Sequence, residues 1–257
     1  MYSPPPHDAL GRPVGLASPP RRIVSLVPSL TELLADLGLD DEVVGLTRFC
    51  VHPDGWKRRK AIVGGTKTVD PARVAALQPD LVLAAKEENV QEQVDALAAP
   101  AFVTDVATVA DAVAMIRRVG ALVDRAGAAD ELADAVEGGF AALAPPRRLR
   151  AAYLIWREPW MTVGGDTFIS DVMAHAGFDN VYGDAGRYPS VTPDELRARQ
   201  PDVVLLSSEP YPFRSAHLAE VRALVPDARV ELVDGEPFSW YGSRMRAAPA
   251  YLRTVTS

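Results

Sequence analysis

Short apolar segments alternate along the chain with segments of helical periodicity, and this alternation predicts an α/β protein. Ile23–Val27, Leu81–Ala84 and Ala151–Ile155 are largely apolar over the length of a strand, as expected for parallel strands that are buried on both faces. Helical segments between them predict a mostly parallel sheet with helices on its faces. The other predicted strands are Val43–Leu46, Ala61–Val63, Ala101–Val103, Asp202–Leu206 and Val230–Val233.

Characteristic start and stop residues locate the helices. Ser29 precedes Glu32 by three residues, which is the capping-box spacing of a helix N-terminus. Asp70 followed by Pro71 is typical of an N-cap and a first helical residue. These patterns predict helices over Thr31–Leu37 (ended by Gly38), from Pro71 onward, and from Thr167 to His175.

Residues 108–146 have a different composition from the regions on either side. They are rich in alanine and charged residues, with apolar residues at helical spacing until Pro145-Pro146. Gly127 is predicted to divide this segment into two helices. The chain is therefore predicted to contain an N-terminal α/β lobe over 1–107, a helical segment over 108–146 that includes a connecting helix, and a C-terminal α/β lobe over 147–257.

An internal repeat relates the two α/β regions. Val69–Glu87 and Val191–Glu209 align without gaps and share nine of nineteen residues. Each copy predicts a helix that begins with proline, a Gln-Pro-Asp turn, a buried strand and a final glutamate. Convergence of two helix–turn–strand units is the alternative to two similar lobes. Because open α/β sheets bind ligands at the carboxyl ends of their strands, Glu87 and Glu209 are predicted to meet one ligand.

Composition and charge narrow the functional classes. The 257 residues are 48% hydrophobic and 24% charged, with a net charge of −7, which excludes a disordered or coiled-coil protein. The acidic balance argues against binding to nucleic acid, and no apolar stretch is long enough to span a membrane. Met1–Leu16 lacks a basic segment followed by an apolar one. The expectation is a cytoplasmic protein, or an extracytoplasmic one if the true start carries an export signal.

Two α/β lobes and a connecting helix resemble the class III periplasmic binding proteins, which are receptors of ABC importers for cobalamin, ferric siderophores and heme. The resemblance extends from about Asp8 to Leu252. The motifs that resemble this family, and its cobalamin-binding or helical-backbone metal-receptor branch, are Arg22–Glu32, Thr47–Pro53, Gly64–Lys67, Gln78–Val82, Lys86–Asn89, Gly164–Phe168, Arg187–Pro189, Gln200–Val204, Ser208–Phe213 and Phe238–Arg244. The resemblance implies two Rossmann-like (chelatase-like) lobes joined by a long interdomain helix.

The same resemblance implies a ligand-binding receptor and not an enzyme. It implies a corrinoid, a ferric chelate or a siderophore bound between the lobes, no covalent cofactor, an ABC permease as partner, and a monomer. One alternative is a cytoplasmic enzyme or corrinoid-handling protein on the same fold, in which Glu87, Glu209 and Lys86 would perform acid–base chemistry. A second alternative is a regulatory module that binds a partner protein.

The predicted ligand-binding residues combine aromatic rings, cations and carboxylates. Thr66 and Ala85 occupy positions where cobalamin receptors carry tryptophan, and two of the four lysines lie in the same loops. The predicted site is thus more polar than a corrin ring requires, and it is suited to a smaller or more anionic ligand. The candidates are Phe49, Lys67, Lys86, Glu87, Arg187, Tyr188, Glu209, Tyr211, Trp240, Tyr241 and Arg244, with ion pairs of the type Lys86–Glu209 or Arg244–Glu87.

Other motifs have two interpretations. Cys50 and His52 are spaced to ligate a metal from an extended loop, or belong to an ordinary packed loop. Gly64–Lys67 and Gly164–Thr167 predict either anion-binding backbone or tight turns. Trp156, Glu158 and Trp160 follow a predicted strand and belong either to the ligand site or to its rim and core.

Docking to a permease is implied by the resemblance alone. Cobalamin receptors place one acidic residue on each lobe, opposite arginines of the permease. The aligned positions hold Ala72 and Asp194, so only the second lobe keeps the acid. Asp70 and Glu195 are the candidate substitutes.

Overall fold

The computed structural model describes residues 6–255 and divides into two α/β units. The first unit contains the described residues up to Val106, Ala110–Val136 and Tyr241–Arg244; the second contains Ala107–Val109, Glu137–Trp240 and the described residues from Met245. Within 6–255, every helix is too short or too polar to cross a bilayer. The first five residues of the N-terminal segment considered above lie outside the described range.

The first unit is built on a five-stranded parallel sheet. Its strands are β1 (Ile23–Ser25), β2 (Val43–Leu46), β3 (Ala61–Ile62), β6 (Leu81–Ala85) and β7 (Ala101–Thr104), and β4 (Gly64–Gly65) and β5 (Thr68–Val69) form a separate antiparallel hairpin. The sheet order is β3-β2-β1-β6-β7. Its helices are α1 (Pro28–Asp36), α2 (Trp56–Arg59), α3 (Pro71–Ala76) and α4 (Gln91–Asp95). Buried side chains from β1, β6, β7, α3 and α4 form one core cluster, which includes Val24, Val82, Val103, Val74 and Val94.

The second unit repeats this architecture with fewer strands. Its strands are β8 (Leu149–Trp156), β9 (Met161–Thr162), β10 (Phe178–Asn180), β11 (Val203–Ser207) and β12 (Arg229–Val233). The parallel order is β10-β8-β11-β12, and β9 pairs antiparallel with β8. Its helices are α7 (Phe168–His175), α8 (Pro193–Ala198), α9 (Ser215–Leu224), α10 (Glu236–Ser239) and α11 (Ala248–Val255), with a 3₁₀ turn over Ser243–Arg246. The core cluster of this unit includes Ala152, Leu154, Leu196, Val204, Leu206 and Val221.

Two helices occupy the alanine-rich segment, and α6 runs from the first unit into the second. They are α5 (Val109–Leu122) and α6 (Ala126–Ala141), and the units divide after Val136. The predicted division at Gly127 is wrong, because that glycine lies inside α6. The break occurs at Asp124, which has a left-handed φ of 58°, a conformation that aspartate tolerates better than most residues.

Helix α1 begins earlier than the capping-box spacing predicts. Its N-cap is Val27, and no side chain caps it, because Pro28 already has the fixed φ of a first helical residue. Ser29 therefore lies within the helix, and the predicted capping box is wrong. The end of the helix is as predicted, since Gly38 follows with a φ of 75°.

The two copies of the sequence repeat have the same local structure. In each copy a proline-started helix, α3 or α8, is followed by a buried strand, β6 or β11. Gln78 and Gln200 precede the Pro-Asp pairs with φ values of 45° and 48°. The glutamine of each Gln-Pro-Asp turn is thus left-handed, and it redirects the chain from helix to strand.

The aspartate of each turn accepts hydrogen bonds from the backbone of the neighbouring central strand. Asp80 accepts from the N–H groups of Arg21 and Arg22 at 2.8 and 2.9 Å, directly before β1. Asp202 accepts from Arg150 N–H at 2.8 Å, at the start of β8. The arginines reciprocate, since Arg22 Nε donates to a turn carbonyl of the first copy and Arg150 Nε to one of the second.

We predict that Asp80→Ala and Asp202→Ala each lower the free energy of unfolding by about 1 kcal/mol, because each removes the acceptor of at least one backbone N–H group. Chemical denaturation measures this change. Asp41→Ala, at an exposed aspartate in a turn, is the control and should change stability by less than about 0.5 kcal/mol. Equal changes in all three variants would contradict the assigned role.

Candidate functional site

The strand order reverses at one point in each sheet, and these points define the candidate site. In the first unit the reversal lies between β1 and β6, and in the second between β8 and β11. Open α/β sheets bind ligands outside the carboxyl ends of the strands at such a point. Glu87 and Glu209 each lie two residues after the end of a strand, β6 and β11 respectively. Each predicted glutamate therefore stands at the switch point of its own unit.

A buried asparagine shapes the loop that carries Lys86 and Glu87. Asn89 Nδ2 donates to Thr66 O at 2.9 Å, and its Oδ1 accepts from Ala85 N at 2.9 Å. These bonds fold residues 85–89 against the β4–β5 hairpin. In the sequence, Asn89 stood out only as part of the Lys86–Asn89 motif, and its role in ordering this loop was not predicted.

The two predicted lysines have partners within the first unit that the sequence did not predict. Lys86 Nζ lies 2.8 Å from a carboxylate oxygen of Asp105, which directly follows β7. Lys67 Nζ donates to the backbone carbonyl of Glu87. Both ammonium groups are exposed, so they form a cationic border at the carboxyl edge of this sheet.

Among the described residues of the first unit, Phe49 is the most exposed large apolar side chain. It follows β2, and 51% of its surface is accessible. The Arg48 guanidinium lies 5.2 Å from the ring centroid. An exposed ring beside a cation is suited to stacking on a flat ligand.

The segment Tyr241–Arg244 packs in the first unit, although the residues on both sides of it belong to the second. Arg244 donates from Nε and Nη2 to the two carboxylate oxygens of Glu32, at 2.9 and 2.6 Å. Only 25% and 18% of these side chains are accessible. Tyr241 is buried, and burial raises the pKa of its hydroxyl. The predicted role of Tyr241 and Arg244 in ligand binding stays a prediction, and the sequence missed Glu32 as the partner of Arg244 because it assigned that residue to a capping box.

The Glu209 carboxylate is ordered by donors from α10. Trp240 Nε1 donates to Oε1 at 2.9 Å, and the Ser239 hydroxyl donates to the same oxygen. Burial is the main cause that raises the pKa of Glu209, and the neighbouring carboxylates of Glu236 and Asp234 raise it further. The sequence predicted Glu209 and Trp240 as site residues, whereas Ser239 entered only as part of the Phe238–Arg244 motif.

Aromatic side chains cluster beside Glu209 at the ends of β8 and β11. The rings of Trp156 and Tyr211 meet edge to face at 5.7 Å, and those of Tyr211 and Phe213 at 4.8 Å. Trp160 stacks on buried Phe213 at 6.1 Å and packs against the core cluster. Trp156 is 40% accessible. The sequence left open whether these tryptophans belong to the ligand site or to its rim and core. In the structure, Trp160 packs in the core, whereas Trp156 presents a ring at the sheet edge.

Arg187 and Tyr188 form a cation–π pair in the second unit. The Arg187 guanidinium lies 5.6 Å from the Tyr188 ring centroid. Arg187 has a φ of 55° and donates its backbone N–H to Asp166. A left-handed arginine costs free energy, and the hydrogen bond to Asp166 stabilises this backbone conformation.

Both glycine motifs are used for close packing of the backbone. Gly64 has a φ of 116° and begins the β4–β5 hairpin. A Cβ on Gly164 would lie 2.4 Å from Ala185 O, far inside contact distance. The tight-turn interpretation therefore accounts for both motifs.

Cys50 and His52 do not form a recognisable metal centre. The Cys50 thiol is fully buried and accepts from Thr31 Oγ1 at 3.0 Å, and burial raises its pKa. Across residues 6–255, no three His, Cys, Asp or Glu side chains converge in a way that suits a metal ion. The packed-loop interpretation accounts for Cys50.

The proposed docking acids differ in their surroundings. Asp70 accepts from the backbone N–H groups of Ala72 and Arg73 as the N-cap of α3. Glu195 completes a capping box with Thr192. Asp194 is 92% accessible and lies 2.7 Å from Arg197. Two of the three acids therefore have a local structural role.

The chain belongs to the periplasmic binding protein family, whose model matches residues 23–225. Among curated relatives, the vitamin B12-binding protein of Yersinia pestis (strain Pestoides F) is 27% identical over 194 residues, which cover 72% of this chain and 69% of that protein. Proteins of this family are transport receptors and not enzymes, which supports the receptor interpretation.

Solved structures share the fold. The periplasmic heme-binding protein of Roseiflexus sp. RS-1 in its apo form has a TM-score of 0.78 and 22% identity, covering 92% of this chain and 99% of that one. A protein of the ABC-type Fe³⁺-hydroxamate transport system of Saccharomonospora viridis has a TM-score of 0.74 and 24% identity, covering 96% and 97%. The predicted two-lobe α/β class is confirmed. The expectation of a cytoplasmic protein finds no support in this family.

We predict that Arg244→Ala lowers the free energy of unfolding by about 2 kcal/mol, because it leaves the half-buried Glu32 carboxylate without a counter-ion. Chemical denaturation measures the loss. Arg246→Ala is the matched control, since Arg246 is exposed two residues further on and should change stability by less than about 0.5 kcal/mol. An equal effect of the two variants would contradict the assignment.

We predict that Glu209→Gln raises the melting temperature at about pH 7.5 and changes it less at about pH 4. The pKa of Glu209 is higher in the folded protein than in the unfolded chain. The folded protein therefore loses stability as the pH rises through the range between these two pKa values. Glutamine removes this cost and keeps an acceptor for Trp240 and Ser239. Asp227→Asn, at an exposed turn, controls for net charge. A gain that is larger at low pH would contradict the prediction.

Proposed function

We propose that this protein is the extracytoplasmic receptor of an ABC importer, and that it binds a corrinoid or another metal chelate. One observation carries the proposal. In a chain of the periplasmic binding protein family, each of the two sheets has a point at which the strand order reverses, and the two points are equivalent. One copy of the sequence repeat ends at each of these sheet edges, and the loops there carry aromatic and charged side chains. The candidate binding residues of each unit lie on the loops at its own edge.

The side chains at these edges suit a large ligand with a flat metal-bearing core and polar substituents. Phe49, Trp156 and Trp240 offer ring surfaces, of which the first two are among the most exposed apolar side chains. Arg187 and Lys86 offer cations near the same edges. Stacking combined with charge-assisted hydrogen bonds is the usual way in which a pocket orients such a ligand.

The names of related proteins narrow the ligand class. The curated relative is a receptor for vitamin B12, and the solved structures include receptors for heme and for an Fe³⁺-hydroxamate. All three ligands are metal chelates that are too large to pass freely through a membrane. The partner in transport is a permease, and the exposed Asp194 is the candidate contact for its arginines.

A ligand panel tests this proposal. Cyanocobalamin, hemin and a ferric trihydroxamate are titrated into purified protein by calorimetry, and the melting temperature is recorded with each. A true ligand at about 100 times its Kd should stabilise the fold by about 2.7 kcal/mol. Absence of binding and of stabilisation by all three probes would overturn the proposed function.

Phe49→Ala locates the site in the same experiment. We expect the affinity for the bound probe to fall about tenfold, because an aromatic contact is lost. The fold should be unaffected, since half of the ring is already exposed. Leu232→Ala is the matched control, because Leu232 is 40% accessible on the edge strand β12. Equal affinities of the two variants would remove Phe49 from the site.

A further inference from the structure

The protein's own donors reach one of the two carboxylate oxygens of Glu209. Trp240 Nε1 and the Ser239 hydroxyl both donate to Oε1. Across residues 6–255, no donor reaches Oε2. Oε2 therefore keeps its full capacity to accept hydrogen bonds from a ligand.

The position of this carboxylate is fixed from several sides. The Ser207 hydroxyl donates to Glu209 O at 2.6 Å and accepts from Glu209 N at 3.3 Å. A Cβ on Gly235 would lie 2.6 Å from Cγ of Glu209, so the backbone of residue 235 packs directly against the side chain. The single proton of the Ser239 hydroxyl is shared between Glu209 Oε1 and Gly235 O, and the latter lies 3.0 Å from Oγ. The direction of Oε2 is thus preset before a ligand binds.

We propose that Glu209 selects a ligand that donates a hydrogen bond at this point, such as a carboxamide of a corrinoid, over a ligand with a carboxylate, such as the propionate of heme. The proposal rests on the proposed receptor function and names the ligand class of that site. Ser239 acts as a positioning residue, since it orients Glu209 and presents no group of its own to the ligand.

The charges around Glu209 favour the same choice. The carboxylates of Asp234 and Glu236, at the start of α10, act electrostatically on the Glu209 carboxylate. The Tyr153 hydroxyl, from β8, donates a hydrogen bond to the Ser207 hydroxyl beside Glu209. These groups are acidic or neutral. A ligand carboxylate would meet like charges here, whereas an amide N–H₂ would meet an acceptor.

Glu209→Gln replaces the hydrogen-bond acceptor at the position of Oε2 with a donor. Trp240 and Ser239 both need an acceptor, so the glutamine carbonyl takes the place of Oε1 and the amide nitrogen that of Oε2. The variant then donates where the native protein accepts. Affinity for a ligand amide should fall, and affinity for a ligand carboxylate should rise.

The experiment measures Kd for cyanocobalamin and for hemin at about pH 7.5. We expect the native protein to bind cyanocobalamin at least about tenfold more tightly than hemin. Glu209→Gln should weaken cyanocobalamin about tenfold and strengthen hemin. Ser239→Ala should weaken cyanocobalamin about threefold, and should have less effect in the Glu209→Gln background. Asp227→Asn should leave both affinities unchanged.

The outcomes separate this inference from the receptor function. A native protein that prefers hemin, or that binds only the ferric trihydroxamate, overturns the inference and leaves the receptor function standing. A Glu209→Gln variant that weakens or strengthens both probes alike also overturns it, because a purely structural role predicts that result. A native protein that binds none of the probes overturns the receptor function itself.

Discussion

The carboxylate of the Gln-Pro-Asp turn is the interaction on which both units depend. Asp80 and Asp202 each accept the backbone N–H that precedes or begins a central strand. This fixes the register of β1 against β6 and of β8 against β11, the two strand pairs at which the sheet order reverses. The loops at the opposite ends of those strands then emerge side by side. The candidate site is thus positioned by a hydrogen bond at the far end of each sheet.

The shared scaffold carries different chemistry in the two units. The edge of the first unit presents lysines whose ammonium groups contact Asp105 and the carbonyl of Glu87. The edge of the second presents a fixed carboxylate beside tryptophan and tyrosine rings. The turn is thus repeated in the two units, whereas the loops at the opposite sheet edges carry different side chains.

Local patterns in the sequence predicted what local physics determines. Apolar runs located the strands, Asp70-Pro71 located a helix start, and the repeat located both switch-point glutamates. The capping box at Ser29 failed because Pro28, one residue earlier, already had helical geometry. The partner of Arg244 could not be predicted, because Glu32 lies 212 residues away in the chain. Ser239 was missed for the same reason, since its contact with Glu209 is formed only by the fold.

The return of Tyr241–Arg244 to the first unit has a consequence for how the chain can be divided. A fragment that ends at Val136 would contain the whole first sheet but not the arginine that neutralises Glu32, nor the tyrosine buried beside Ser29. The first unit is therefore completed by residues that follow the whole sheet of the second unit in the chain. The two units are separate in architecture, yet the first reaches its final packing only after the second sheet has also been synthesised.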